Sequence, residues 1–277
     1  DPDVIASGGA VRVMQYFLLD KKTKPVIALQ TLDFIKGFYI YKASLAYNNA
    51  LNIISGAFGV FRKDALEAVN GFRNGLGEDI DITIRLQEYA INNNKKITYD
   101  TGAVCYTECP ETWKDLARQR VRWQKAFWDA VMQNRKFLFG KLFSTNLCFL
   151  MLIDASFSGS MAVFSFIFNC LLISLRAVYG FPPYFALLAV LALIFNVVSS
   201  LIGIIRAKHM PPEGVESEAQ NPKFSIKFFI LSIIIDIFWF SILRIFYFLK
   251  GSVSYALNNR NWDKVERTQN RYIILDK

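Results

Sequence analysis

Apolar residues are spread unevenly along this chain, and that asymmetry constrains its fold more than any motif does. Residues 1–140 carry the mixed pattern of an ordinary soluble domain, whereas 142–250 contain long runs rich in Phe, Ile and Leu. A helix needs roughly 20 apolar residues to cross the hydrocarbon core of a bilayer. Three runs come near that length, around 147–175, 183–205 and 226–249. The pattern therefore predicts an α/β domain followed by an α-helical transmembrane domain. With 277 residues, 53% of them apolar, both parts have material for a core.

The net charge of +9 leaves nucleic acid, an anionic membrane surface or an anionic substrate as partners. No nucleic-acid motif supports the first. Arg118, Arg120, Arg122, Lys125, Arg135, Lys136 and Lys141 crowd the stretch before the first apolar run, as in a cytoplasmic juxtamembrane segment. The expected partner is then membrane lipid, at a multi-pass plasma-membrane location with the first domain cytoplasmic. Cys105 and Cys109 are too isolated for a zinc site, and Cys148 and Cys170 read as small hydrophobes within apolar runs. His209, the single histidine, reads as solvated.

Val11–Leu19 is strand-like, and Val26–Ala46 repeats apolar and aromatic residues at helical spacing. Residues 51–61 form a β-type run interrupted by Gly56 and Gly59, where glycine often marks the close approach of another group. Lys63–Val69 is a short helix ended by Asn70-Gly71. A glycine-bearing loop then leads into a helix over Asp79–Ile91. Lys96–Tyr99 and Ala103–Tyr106 are strand-like, and 111–135 forms a long basic amphipathic helix. Strands alternating with helices favour α/β architecture. Phe137–Phe143 is expected at a lipid interface.

Two clusters carry chemistry. Glu78, Asp79 and Asp81 place three carboxylates at a loop-to-helix junction. Acids there cap a helix and oppose its dipole; they also suit a general base that takes a proton from a sugar hydroxyl. In Gln119-Arg120-Val121-Arg122-Trp123, Gln119, Arg122 and Trp123 fall at i, i+3 and i+4 and share one helical face. An indole stacks on a sugar ring, a guanidinium pairs with phosphate oxygens, and an amide donates to a hydroxyl. A helix lying on anionic lipid would explain Arg118 and Lys125 but does not require this trio.

Asp79 within an E-D pair, followed some forty residues on by Q-x-x-R-W, resembles the second half of the pattern of processive family-2 glycosyltransferases. These are synthases of the cellulose, chitin, hyaluronan and poly-N-acetylglucosamine type. SGGAVRV at 7–13, ISGAFGVFRKDAL at 54–66 and TECPETWKDLARQRVRW at 107–123 agree with the poly-N-acetylglucosamine-synthase-like branch. The resemblance is dense over 1–140. It implies a partial, doubly wound GT-A-like domain over 1–136, interfacial and transmembrane helices over 137–250, and a basic cytoplasmic tail over 251–277.

By the same resemblance, Asp79 is the catalytic base with Glu78 beside it. Gln119, Arg122, Trp123, Ser55, Gly56 and Asp81 bind substrate, and Trp262, Lys264, Arg267 and Thr268 resemble a gating segment. The ligands implied by the resemblance are a nucleotide sugar, of the UDP-sugar kind, and a growing glycan. Mg²⁺ or Mn²⁺ is implied too, with its ligands and the nucleotide-gripping aspartates in a half of the domain preceding Asp1. Asp1-Pro2-Asp3 has a D-x-D outline, but VIASGG after it places it at a later strand, and no metal is assigned to it. The chain is accordingly read as an inactive C-terminal fragment of a polymerising, exporting enzyme. Transfer of one sugar to a lipid carrier, and a transporter or scaffold without catalysis, are the competing readings.

Topology is the point of conflict. Three crossings would leave the basic tail outside and carry Asp236 and Arg244 through the bilayer. By helix rise they stand about 12 Å apart, too far for direct pairing. A cytoplasmic tail requires a re-entrant third segment or a further crossing within 142–176.

Overall fold

The computed structural model of the chain describes residues 1–17, 24–154, 183–209 and 225–258. Its centre is β1 (Val4–Val13), flanked by β2 (Gly59–Phe61), antiparallel, and β3 (Lys96–Thr107), parallel, in the order β2-β1-β3. A parallel pair needs a long crossover, and residues 25–92 supply it. They form α2 (Pro25–Lys36), a π-helical turn (Gly37–Tyr41), α3 (Lys42–Tyr47), β2, α4 (Lys63–Ala68) and α5 (Glu78–Asn92); α1 (Met14–Phe17) directly follows β1. The expected strand over Val11–Leu19 thus starts earlier and gives way to helix at Met14. Residues 51–61 form a strand only over their last three positions.

The two strand-like segments of 96–106 are one strand. Its pairing with β1 jumps from Gly9↔Asp100 to Ala10↔Val104. Asp100 makes the irregularity by accepting the Gly102 N–H at 2.8 Å. Helix α5 buries Ile82, Leu86 and Ala90 against Ile5, Ala6 and Ile97. Ala10 and Val11 pack instead with Ile35, Phe38 and Tyr39. β1 is therefore covered by helix along its length and reads as a near-continuous apolar run.

After β3 come α6 (Trp113–Gln133), α7 (Arg135–Gly140), α8 (Asn146–Asp154), α9 (Pro183–His209), α10 (Ile226–Ile234), a second π-helical turn (Ile235–Phe240) and α11 (Ser241–Ala256). Among the described residues no helix is long and apolar enough to cross a membrane. The predicted transmembrane domain is therefore corrected, and the multi-pass location and lipid partner inferred from it lose their support. One side of these apolar runs finds protein partners, while others of their residues, such as Phe195, Ile205 and Ile230, stay exposed. Phe228, Phe240 and Tyr247 join Tyr16, Val26, Ile27 and Leu29 in one cluster, and Ile204 and Ile233 close on Leu32. Phe137–Phe143, expected at a lipid interface, includes Leu138, which is buried with Ile84 and Ala130. Most of the first candidate span, like the gating residues Trp262, Lys264, Arg267 and Thr268, lies outside the described residues.

The third run stays helical but passes through the π-helical turn that contains Asp236. Its carboxylate is 2% exposed and takes Lys36 at 2.9 Å, Asn196 at 3.0 Å and Arg244 at 2.6 Å. The expectation that Asp236 and Arg244 stand too far apart to pair is corrected. The π-helical turn beginning at Ile235 alters the regular rise between them, and the long arginine side chain spans the rest. Burial alone would push the Asp236 carboxyl up; Arg244 and Lys36 outweigh it and hold the group below the ordinary carboxylate range.

Candidate active site

Helix α5 begins at Glu78 with three acids in its first turn. The side chain of Asp79 turns back over the preceding chain. Its Oδ2 accepts the Gly56 N–H at 3.1 Å, and Oδ1 accepts the Ile80 N–H at 3.0 Å. Thr83 makes a second tie between the same segments: its hydroxyl donates to the Asp79 carbonyl at 2.6 Å and accepts the Ile54 N–H at 2.9 Å. The irregular 54–57 segment is thus laid across the start of α5. The loop before Asp79 is held from the other side, because Asp129 of α6 accepts the Leu76 N–H at 2.9 Å. Gly77 lies so close to α6 that a Cβ there would meet the Ala126 carbonyl oxygen at 2.6 Å.

Helix α6 starts where Thr112 caps it by accepting the Asp115 N–H at 3.1 Å. The chain before it is fixed by Gln15, whose amide donates to the Cys109 carbonyl at 2.6 Å and accepts the Cys109 N–H at 3.0 Å. Helix α11 seals the far side of α6. Gly251 comes within 3.1 Å of the Val121 carbonyl by its missing Cβ, and the Trp128 indole N–H donates to Ser252 at 2.8 Å.

These supports enclose a cleft of about 920 Å³. Asp79, Ser55, Gly56, Gln119, Arg122 and Trp123, proposed from sequence on separate segments, all line it. Two others do not. Glu78 is exposed and outside the lining. Asp81 is 2% exposed and is engaged by Arg85 at 2.7 Å and by the Asn134 amide at 2.8 Å, as an internal brace of α5.

Sequence reasoning left unassigned to the site five charged residues that share the cleft: Asp33, Lys42, Glu108, Arg120 and Arg244. Asp33 stands 2.7 Å from Arg120 and 3.5 Å from Arg244. The Arg120 guanidinium lies over the Trp123 ring, 4.5 Å from its centroid, and Phe34 approaches the same indole at 6.5 Å. Lys42 was discoverable. It falls at i+4 from Phe38 and i+7 from Ile35, on the buried stripe of its helix, where a lysine is out of place. Burial pushes its ammonium down to about 8, against the attraction of Asp79.

The described cysteines are unsuited to nucleophilic work: burial pushes the Cys109 thiol up to about 12, and the Cys105 and Cys148 thiols are raised for the same reason. Among the described residues no group of three or more His, Cys, Asp or Glu is placed to hold a metal ion. Asp3, half of the D-x-D outline, pairs with Lys95 at 2.8 Å. The described residues therefore offer no such group for the Mg²⁺ or Mn²⁺ that the resemblance implies.

The sequence model of glycosyl transferase family group 2 matches residues 25–200, more than half of the chain, and includes Asp33, Lys42, Asp79, Gln119, Arg122 and Trp123 of the cleft. The chain is also similar to the poly-beta-1,6-N-acetyl-D-glucosamine synthase of Staphylococcus epidermidis. The two are 29% identical over 124 residues, which is 42% of this chain and 29% of that one. A synthase of the same name from Staphylococcus aureus strain COL is 29% identical over 107 residues, 38% of this chain and 25% of the relative. The matched stretches thus span less than a third of these relatives' length.

Proposed function

Because this chain belongs to glycosyl transferase family group 2, we propose that it takes part in inverting transfer of a sugar from a nucleotide-sugar donor to a growing glycan, with Asp79 as the base. The observation that carries the reading is that one cleft joins Asp79 to the Gln119, Arg122 and Trp123 face of α6. Asp79 takes the proton of an acceptor hydroxyl as that oxygen attacks the anomeric carbon. The bond from that carbon to the diphosphate breaks, and the nucleoside diphosphate leaves with the electron pair. A single displacement with one base inverts the configuration and needs no enzymic nucleophile.

The two backbone N–H groups on Asp79 fix the direction of its carboxylate, leaving other lone pairs for the acceptor proton. Arg122 and Gln119 serve the diphosphate and the terminal sugar, and Trp123 supplies a stacking surface for the acceptor ring. The staphylococcal relatives' name favours an N-acetylglucosamine polymer over single transfer to a lipid carrier, and the family resemblance read from the sequence suggests a UDP-sugar as donor. Mg²⁺ or Mn²⁺, if used to neutralise the diphosphate, requires ligands other than a cluster among the described residues.

The test is transfer from UDP-N-acetylglucosamine by the full-length protein, with product length measured. Long products that disappear in Asp79→Asn support the reading. Products extended by one sugar only would replace polymerisation with single transfer, and unchanged output from Asp79→Asn would remove Asp79 as the base.

A further inference from the structure

Lys42 is a cation that the reaction above does not use. It opens α3 directly after the π-helical turn, is only 9% exposed, and lines the same cleft as Asp79. Its Nζ sits 4.1 Å from the centroid of the Phe38 ring, which supports the charge without accepting a conventional hydrogen bond from it. An ammonium carries three donors, and on a cleft wall they can be offered to the oxygen atoms of a ligand. Two other cations of the cleft differ: Arg120 stands against Asp33, and Arg244 against both Asp33 and Asp236.

We propose that Lys42 is a further substrate-binding residue, whose ammonium donates hydrogen bonds to oxygen atoms of the saccharide acceptor held beside Asp79. The inference rests on the glycosyl-transfer reading and names a contact within that same site. A neutral, oxygen-rich ligand suits this position better than a diphosphate does. The Asp79 carboxylate acts electrostatically on Lys42, so an anion brought to the ammonium would also meet that carboxylate. The charged groups on the surrounding walls are Asp79 of α5, Asp33 of α2, Glu108 before α6, Arg120 and Arg122 of α6, and Arg244 of α11, with the phenols of Tyr41 and Tyr247. Burial leaves the ammonium able to lose its proton at about 8, so its hydrogen bonds to a saccharide weaken as pH rises through that value.

The test measures binding of a β-1,6-linked N-acetylglucosamine oligomer and, separately, of UDP to full-length wild type, Lys42→Met and Lys42→Arg. Wild type should bind the oligomer more weakly as pH passes about 8. Lys42→Met should bind it about 10- to 100-fold more weakly below that pH, without the pH dependence and with UDP affinity intact. Lys42→Arg should keep oligomer binding to higher pH, because its guanidinium stays charged. Wild-type oligomer affinity in Lys42→Met, or a loss confined to UDP, would overturn the proposal. Should Lys42→Met fail to fold, an Arg variant whose binding still declines at the wild-type pH would do the same. Turnover of Asp79→Asn, measured alongside, judges the base independently of these affinities.

Discussion

Asp79 accepts the backbone N–H of Gly56 at 3.1 Å, across 23 residues of sequence. This joins the first turn of α5 to the irregular segment after α3 and fixes where the proposed base points. Asn in place of Asp79 retains an oxygen able to accept from Gly56 but cannot take up a proton at neutral pH. Asp79→Asn should lower transfer by about 10²- to 10⁴-fold while UDP binding stays near wild type. Comparing turnover with calorimetric UDP affinity checks this; near-normal turnover would sink the assignment.

Trp123 is 38% exposed, with Arg120 over its ring. Trp123→Ala removes both a stacking surface and the aromatic partner of Arg120, so the acceptor KM should rise by about tenfold. Trp123→Phe keeps a smaller ring and should fall between the two. Equal acceptor KM values in all three proteins would leave Trp123 a packing residue.

The Asp236 carboxylate is buried between Lys36, Asn196 and Arg244. Asp236→Ala leaves those cations without it and should destabilise the fold by about 3–5 kcal/mol. The folded-state pKa of Asp236 lies below its ordinary value. Its contribution is therefore present above the unfolded carboxylate's pKa and is lost as pH falls through the folded one. Thermal melts at neutral and acidic pH should show the gap between wild type and Asp236→Ala narrowing in acid; a constant gap would contradict the linkage.

The local parts of this site were legible in sequence. The Glu78–Asp79 helix start and the Gln119, Arg122, Trp123 face are set by spacing within single helices. Their meeting in one cleft was supplied by resemblance, because periodicity along a chain does not report which helices touch. Asp33, Arg120 and Arg244 were not assigned to the site for the same reason, since they come from α2, α6 and α11. The apolar runs misled more seriously. Hydropathy measures how much apolar surface a helix carries, not what covers it, and Phe228, Ile204 and Ile233 are covered by protein. The isolated charges in those runs, taken as obstacles to crossing, are members of the Asp236 pairing.

A close approach to helix backbone near the proposed base is made by Gly77, two residues before Asp79. A Cβ on Gly77 would lie 2.6 Å from the Ala126 carbonyl oxygen and 3.0 Å from the Ala126 Cβ. The obstacle is partly helix backbone, so it cannot swing aside as a flexible side chain would. Either the loop lifts from α6, straining the Leu76–Asp129 hydrogen bond, or α6 shifts and takes Trp123 with it. Both routes change the distance between base and acceptor. Gly77→Ala should therefore cost about 1–3 kcal/mol of stability through overpacking and at least about 10²-fold in turnover through misplacement. Gly140, at the end of α7, has nothing within 4 Å of its notional Cβ and is the control. Gly140→Ala should retain full turnover and melt at or slightly above the wild-type temperature. Melting curves and turnover for both variants decide the matter: a Gly77→Ala enzyme as active as Gly140→Ala would mean that the loop's seat on α6 does not set the position of Asp79.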